Sequence, residues 1–175
     1  DITWQRSSSK SSWEAYPTAQ NEVLRLTQSQ VGYSYRAVVS YIDSHGTREV
    51  LYTSPSETID NLDDPVQGEV TIIGEPKEGI TLRALSDSLS DEDGIASISI
   101  SWETSKDGRN WIGLNSLSGP ILPLNQTLVG SQVRARVAVV DNFGIETNLY
   151  SQATRTVENV NNKPSGRIVI RRVGQ

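Results

Sequence analysis

Displaced by 98 residues, the sequence matches itself without gaps over a long stretch. Trp4 falls on Trp102, Trp13 on Trp111, and Leu24 and Leu26 on Leu122 and Leu124. Val31-Gly32 falls on Val129-Gly130, and Arg36-Ala37 on Arg134-Ala135. Asp43, Gly46, Tyr52 and Asn61 fall on Asp141, Gly144, Tyr150 and Asn159. One offset running through Trp, Gly, Asp and Tyr anchors implies a structural unit repeated in tandem. Its phase makes residues 1–62 the C-terminal part of a first module and 63–161 a complete one. Residues 162–175 begin a third, because Gly166–Ile170 repeats Gly68–Ile72. The first module then lacks counterparts of residues 63–98. Pairing of its open edge with a C-terminal segment, of the same or another molecule, is one expectation.

The strand signals come at short intervals. Ile98, Ile100 and Trp102 alternate with Ser97, Ser99 and Ser101, and Val133, Ala135, Val137 and Val139 with Arg134, Arg136 and Ala138. A period of two with one face apolar is the pattern of half-buried strands. Strands are also expected at Gly68–Ile73, Gly79–Leu85, Trp111–Leu114, Ile121–Leu124 and Ile145–Val157. Lys106-Asp107-Gly108 and Asp141-Asn-Phe-Gly144 read as turns between them. No stretch carries a helical apolar stripe. About seven strands in one 98-residue period predict an all-β fold: tandem immunoglobulin-like β-sandwich modules. Trp102, and Trp4 with it, are expected in the core, and Trp13 and Trp111 at the core or its edge.

Composition narrows the chemistry. Cysteine is absent and there is one histidine, His45, whose counterpart is Phe143. Disulfides are therefore excluded, and neither a transition-metal site nor His-based nucleophilic catalysis is expected. With no Gly-rich phosphate loop either, the expectation is that the chain is not an enzyme. A net charge of −5 argues against a nucleic-acid partner, whose phosphates need a basic face. No apolar run is long enough to insert in a membrane. Asn125-Gln-Thr127 matches a glycosylation acceptor but reads as a polar loop.

One constellation suits a hard cation. The junction Asp60-Asn-Leu-Asp63-Asp64-Pro65 is rich in oxygen donors and recurs, less acidic, as Glu158-Asn-Val-Asn-Asn162-Lys-Pro164. Asp91-Glu-Asp93-Gly94 precedes the Trp102 strand, and Glu78 precedes the strand at Gly79–Leu85. Calcium takes six to eight oxygens from carboxylates, amides and backbone carbonyls. In a sandwich the loop before the third strand and the linker into the first can share one end. Asn61, Asp63, Asp64, Glu78, Asp91 and Asp93 are thus the candidate calcium ligands.

The run Gly-x-Val-x-Ile-x-Gly-x-Pro-x-Glu-Gly-x-Thr-Leu at Gly68–Leu82, followed by Asp91-x-Asp-Gly94 and Trp102, carries a resemblance. It resembles the immunoglobulin-like and cadherin-like tandem repeats of large bacterial surface or secreted proteins, including repeats-in-toxin-type adhesins. The junction is similar to the Asp-x-Asn-Asp-x-Pro linker of cadherins, which implies calcium between modules. The second junction departs from it at Asn161, Asn162 and Lys163. The resemblance implies an extracellular or cell-surface location and a role as spacer or stalk supporting adhesion, with neighbouring modules as partners. The alternative is a glycan- or protein-binding accessory module of an extracellular enzyme. The loops that differ between modules, Ser8–Ser11 against Lys106–Arg109, are the feature that speaks for it.

Overall fold

The structure of the chain, a computed structural model, describes residues 1–17 and 22–171. Within them every regular element longer than one turn is a strand. The chain divides into two units, Asp1–Asp64 and Pro65–Gln175.

The first unit holds β1 (Ile2–Ser7), β2 (Glu14–Ala15), β3 (Ser34–Ile42) and β4 (Arg48–Tyr52), joined in one antiparallel sheet of order β2-β1-β3-β4. Trp4 stands opposite Ala37, and Val39 opposite Leu51. Cross-strand partners share a face, so these side chains line one side of the sheet together. Tyr35 and Ala37 are buried, and Tyr35 meets the Tyr16 ring edge-on at 5.4 Å.

The second unit holds β5 (Thr71–Ile73), β6 (Thr81–Leu85), β7 (Ile95–Ser105), β8 (Ile112–Ser118), β9 (Ile121–Pro123), β10 (Gln132–Asp141) and β11 (Glu146–Tyr150). They form two antiparallel sheets, β5-β6-β9 and β11-β10-β7-β8. This is the expected all-β sandwich. β10 shows why: every second residue, from Val133 to Val139, is buried, and the residues between are half-exposed. These four side chains, Trp102 of β7 and Leu82 and Ala84 of β6 meet Leu122, Leu124, Leu128 and Val157 in one apolar core. Trp102 is fully buried, and its indole N–H donates to the Gly119 carbonyl at 3.0 Å, so its one polar group is satisfied.

Three strand expectations change. The strand expected from Gly68 begins only at Thr71. Gly68 lies against the Ser88 carbonyl, where a Cβ would sit 2.3 Å from the oxygen, and the Glu69 N–H goes to Ser88 Oγ instead of a ladder. The strand expected over Ile145–Val157 ends as a ladder at Tyr150. Beyond it the Ser151 and Thr154 N–H groups still donate to the Ala135 and Val133 carbonyls, but Ser151 Oγ and Thr154 Oγ1 accept the return bonds from the Ala135 and Val133 N–H groups in place of main-chain carbonyls. Ile98 alternates correctly but is 41% exposed: β8 pairs with β7 only from Ser101 to Thr104, so at Ile98 the strand has its β10 neighbour alone. Trp4 is likewise only half-buried where Trp102 is fully buried. Residues 162–171, the expected start of a third module, contain no regular element, and 172–175 lie outside the described residues.

Several contacts recur in the two units at the 98-residue offset. The Gly32 N–H donates to Ile59 O and that of Gly130 to Val157 O. The Ala37 N–H donates to Thr53 Oγ1 and that of Ala135 to Ser151 Oγ. Gln28 donates to the Asn61 side chain and Gln126 to that of Asn159. Arg36 stacks between Trp13 and Tyr52, and Arg134 between Trp111 and Tyr150, at 4.3–4.5 Å from the ring centroids.

Candidate metal centre

β10 ends in Asp141, and the turn that follows is built on its side chain. Asp141 Oδ1 accepts the N–H groups of Phe143 at 2.8 Å and Ile145 at 2.7 Å. Asp43 does the same at the end of β3, accepting from His45 and Thr47. An aspartate closing a turn on its own backbone is ordinary local chemistry. Asp141 is distinguished by its other oxygen. The residue is 4% exposed, and Oδ2 is buried with no hydrogen-bond partner. A buried carboxylate oxygen without a donor is costly, and such an atom calls for a compensating charge.

The surroundings of Oδ2 supply more carboxylates. The β7–β10 register shifts at this point: Val140 faces Ser97 but Asp141 faces Ile95, leaving Ala96 as the extra residue of a bulge. Bulges of this kind re-aim strand ends toward sites. Just before Ile95, Asp91 Oδ1 accepts the Asp93 N–H at 2.8 Å, and the Gly94 N–H returns to the Asp91 carbonyl at 3.0 Å. Gly94 takes φ +77° and lies against Asn142, whose N–H donates to the Gly94 carbonyl. A side chain there would meet both the left-handed backbone and the Asn142 amide. The loop thus packs onto the end of β10 with the buried Asp93 beside Asp141.

Asp63, Asp93 and Asp141 each offer a carboxylate oxygen, and the three oxygens lie within 4.8 Å of one another. Asp63 is exposed and belongs to the segment leading to Pro65, while Asp93 and Asp141 are buried. Three like charges at this spacing repel, and a metal ion among them would convert the repulsion to attraction. The cluster can hold a metal ion. Its donors are all hard oxygens, which suit calcium, magnesium or manganese over thiolate- or imidazole-seeking metals.

No family model matches this sequence, and no curated protein does either.

Of the six candidate ligands, the structure brings Asp63 and Asp93 into the group. Asp91 shapes the loop from two residues further back, its Oδ1 accepting the Asp93 N–H. Glu78 is engaged elsewhere: its Oε2 accepts the Val160 N–H at 3.0 Å, tying the C-terminal stretch to the start of β6. Asn61 Oδ1 accepts from Gln28 within the first unit. Asp64 is not among the grouped carboxylates. Asp141 is the member of the cluster that sequence reasoning missed, because an Asp-Asn-x-Gly turn explains its presence without an ion. The signal was its place at the end of the most regularly alternating strand, where a loop before β7 must also end.

Among the described residues no helix is long and apolar enough to cross a membrane. A groove of about 280 Å³ beside β7 and β8 is lined by Lys106, Asp107, Thr127 and Ser131 among others. Asp107 holds the loop there. Its carboxyl is held well below the usual carboxylate range, first by the N–H groups of Asn110 and Arg109, then by the Asn110 and Ser105 side chains. It supports the loop at this edge of the groove.

Proposed function

We propose that the chain is a spacer: tandem sandwich modules of a large extracellular protein that supports adhesion, stiffened by calcium where the chain enters the second sandwich. The observation that carries this reading is the company Asp63 keeps. A carboxylate in the entering segment lies with two buried carboxylates on the loops of the sandwich that follows. An ion held by all three ties the segment to the sandwich and limits its bending. With Asp141 Oδ1 committed to its turn, the three carboxylates leave up to five oxygens, and backbone carbonyls or water complete the six to eight that calcium takes. Calcium is preferred to magnesium because the donors come from three separate segments, a flexible set that suits its looser geometry.

The contacts shared at the 98-residue offset support a common design for the two units. A glycan-binding role through Trp13 and Trp111 has less support, since an arginine guanidinium already covers a face of each ring. The test is small-angle scattering of the chain with calcium and with chelator. The reading expects calcium to narrow the distribution of intramolecular distances, and the Asp63→Asn variant to lose that response. Identical scattering in both conditions would remove calcium stiffening from the role.

A further inference from the structure

Every pairing between the named strands is antiparallel. One contact is not. Lys77, in the connection between β5 and β6, bridges Glu158 in parallel. The Glu78 N–H donates to the Glu158 carbonyl at 2.9 Å, and the Glu158 N–H to the Pro76 carbonyl at 2.8 Å. A third bond uses a side chain: the Val160 N–H donates to Glu78 Oε2 at 3.0 Å. Both stretches are anchored to the sandwich. The Gly79 N–H donates to the Leu124 carbonyl at 2.8 Å, and the buried Val157 donates its N–H to the Ser131 carbonyl at 2.8 Å. Asn159 Oδ1 accepts from the Gln126 side chain.

The two stretches belong to the segments by which the chain enters and leaves the second unit. Pro76–Glu78 ends the run from Pro65 through β5, and Glu158–Val160 follows β11 and its side-chain-bonded extension. Tension along the chain draws Pro76–Glu78 toward its N-terminal side and Glu158–Val160 toward its C-terminal side. Because the two run parallel, these pulls are opposed and lie along the strands. The bonds between them, which slant across from one strand to the other, are loaded together in shear. Bonds at the open end of a hairpin, pulled across the strands, are loaded one at a time instead. While the contact holds, tension passes from the entering segment straight to the leaving one. Residues 79–157, which carry β6 to β11, are spared it.

We propose that the second unit is a load-bearing module and that the contact of Pro76–Glu78 with Glu158–Val160 is its mechanical clamp. The proposal rests on the spacer reading for the tension itself, since a spacer that supports adhesion is pulled end to end. It gives Glu78 a task in that role. Its carboxylate adds a third bond beside the two main-chain ones, and a charged acceptor makes a stronger bond than a neutral one. The clamp acts on the rate of opening under load, and forced unfolding is governed by that rate and not by equilibrium stability. It needs no ion, and both of its halves lie in the second unit.

Because the chain has no cysteine, one added at each terminus gives handles for pulling the full chain in an optical trap. Pulling is done in chelator, so that no ion shares the load. Release of residues 79–157 adds up to about 280 Å of chain at ~3.5 Å per residue, and a step of that size marks the clamp's opening. At a fixed force, Glu78→Ala is expected to take this step roughly threefold to tenfold faster than the parent, the size of one net hydrogen bond. Glu78→Gln keeps an acceptor and should stay closer to the parent. Glu158→Pro removes the N–H donated to Pro76 and should also open faster. Asp107→Ala weakens a loop outside the path of tension, so it should lower the urea midpoint and leave the step unchanged. Equal rates for the parent and Glu78→Ala, or an Asp107→Ala chain that opens as fast as Glu78→Ala, would overturn the proposal. So would a parent chain whose second unit opens only in smaller pieces. A clamp that fails in chelator leaves the calcium reading standing, and a missing calcium response leaves the clamp standing.

Discussion

Arg36 and Arg134 do the same work with different partners. Each stacks between a Trp and a Tyr on the outer side of its sheet, a cation–π sandwich worth about 0.5–1 kcal/mol at exposed sites. Arg134 adds a half-buried ion pair with Glu103 at 2.6 Å, where Arg36 has the neutral Gln5. The sequence aligns the two arginines but does not reveal the stack, because Trp, Arg and Tyr come from three separate strands or loops. Asp107 carries the clearest pH effect. Its folded pKa is depressed by four hydrogen bonds, so its contribution is present above the unfolded value of about 3.9. That contribution is lost as pH falls through the folded value. Asp107→Ala is expected to lower the urea midpoint of the second unit at pH 7, and the gap from the parent chain should shrink toward pH 2. A gap that stays constant across that range would mean the loop is held by something other than the carboxylate.

At the scale of elements, alternation made β7 and β10 legible, because a strand buried on one face must write its period into the sequence. Their ends were not legible. Ile98 keeps the apolar pattern where β8 no longer pairs with β7, and local pattern cannot tell how far a neighbouring strand reaches. The Ile145–Val157 run reads as one strand, whereas Ser151 and Thr154 turn its second half into a side-chain-bonded extension. The paired tryptophans test how much the second sheet matters. Trp102 is enclosed by both sheets, and Trp102→Ala should cost about 3–5 kcal/mol. Trp4 is half-buried on a single sheet, and Trp4→Ala should cost less in its own unit. Equilibrium denaturation of each variant decides it. Equal losses would show that the first unit's face is as closed as the second's.

For the molecule as a whole, the candidate metal cluster was half legible. Asp63 and Asp93 stand out because linker and loop are both acidic, and a sandwich can bring them to one end. Asp141 was hidden by a sufficient local explanation, its turn, and only burial of Oδ2 shows that half of its carboxylate is left over. Glu78 and Asn61 each have a hydrogen-bonding task that depends on contacts far along the chain, which sequence pattern does not show. The central claim is that a calcium ion binds Asp63, Asp93 and Asp141. The most direct measurement is thermal unfolding of the parent chain and Asp141→Asn, each with about 5 mM calcium and with chelator, a range suited to extracellular sites. The substitution keeps an Oδ1 acceptor for the turn and removes the charge. A tenfold excess of ion over its dissociation constant adds about 1.4 kcal/mol. The account predicts a melting temperature that rises with calcium in the parent chain and not in the variant. Superimposable parent curves, or a calcium response that the variant keeps, would contradict it.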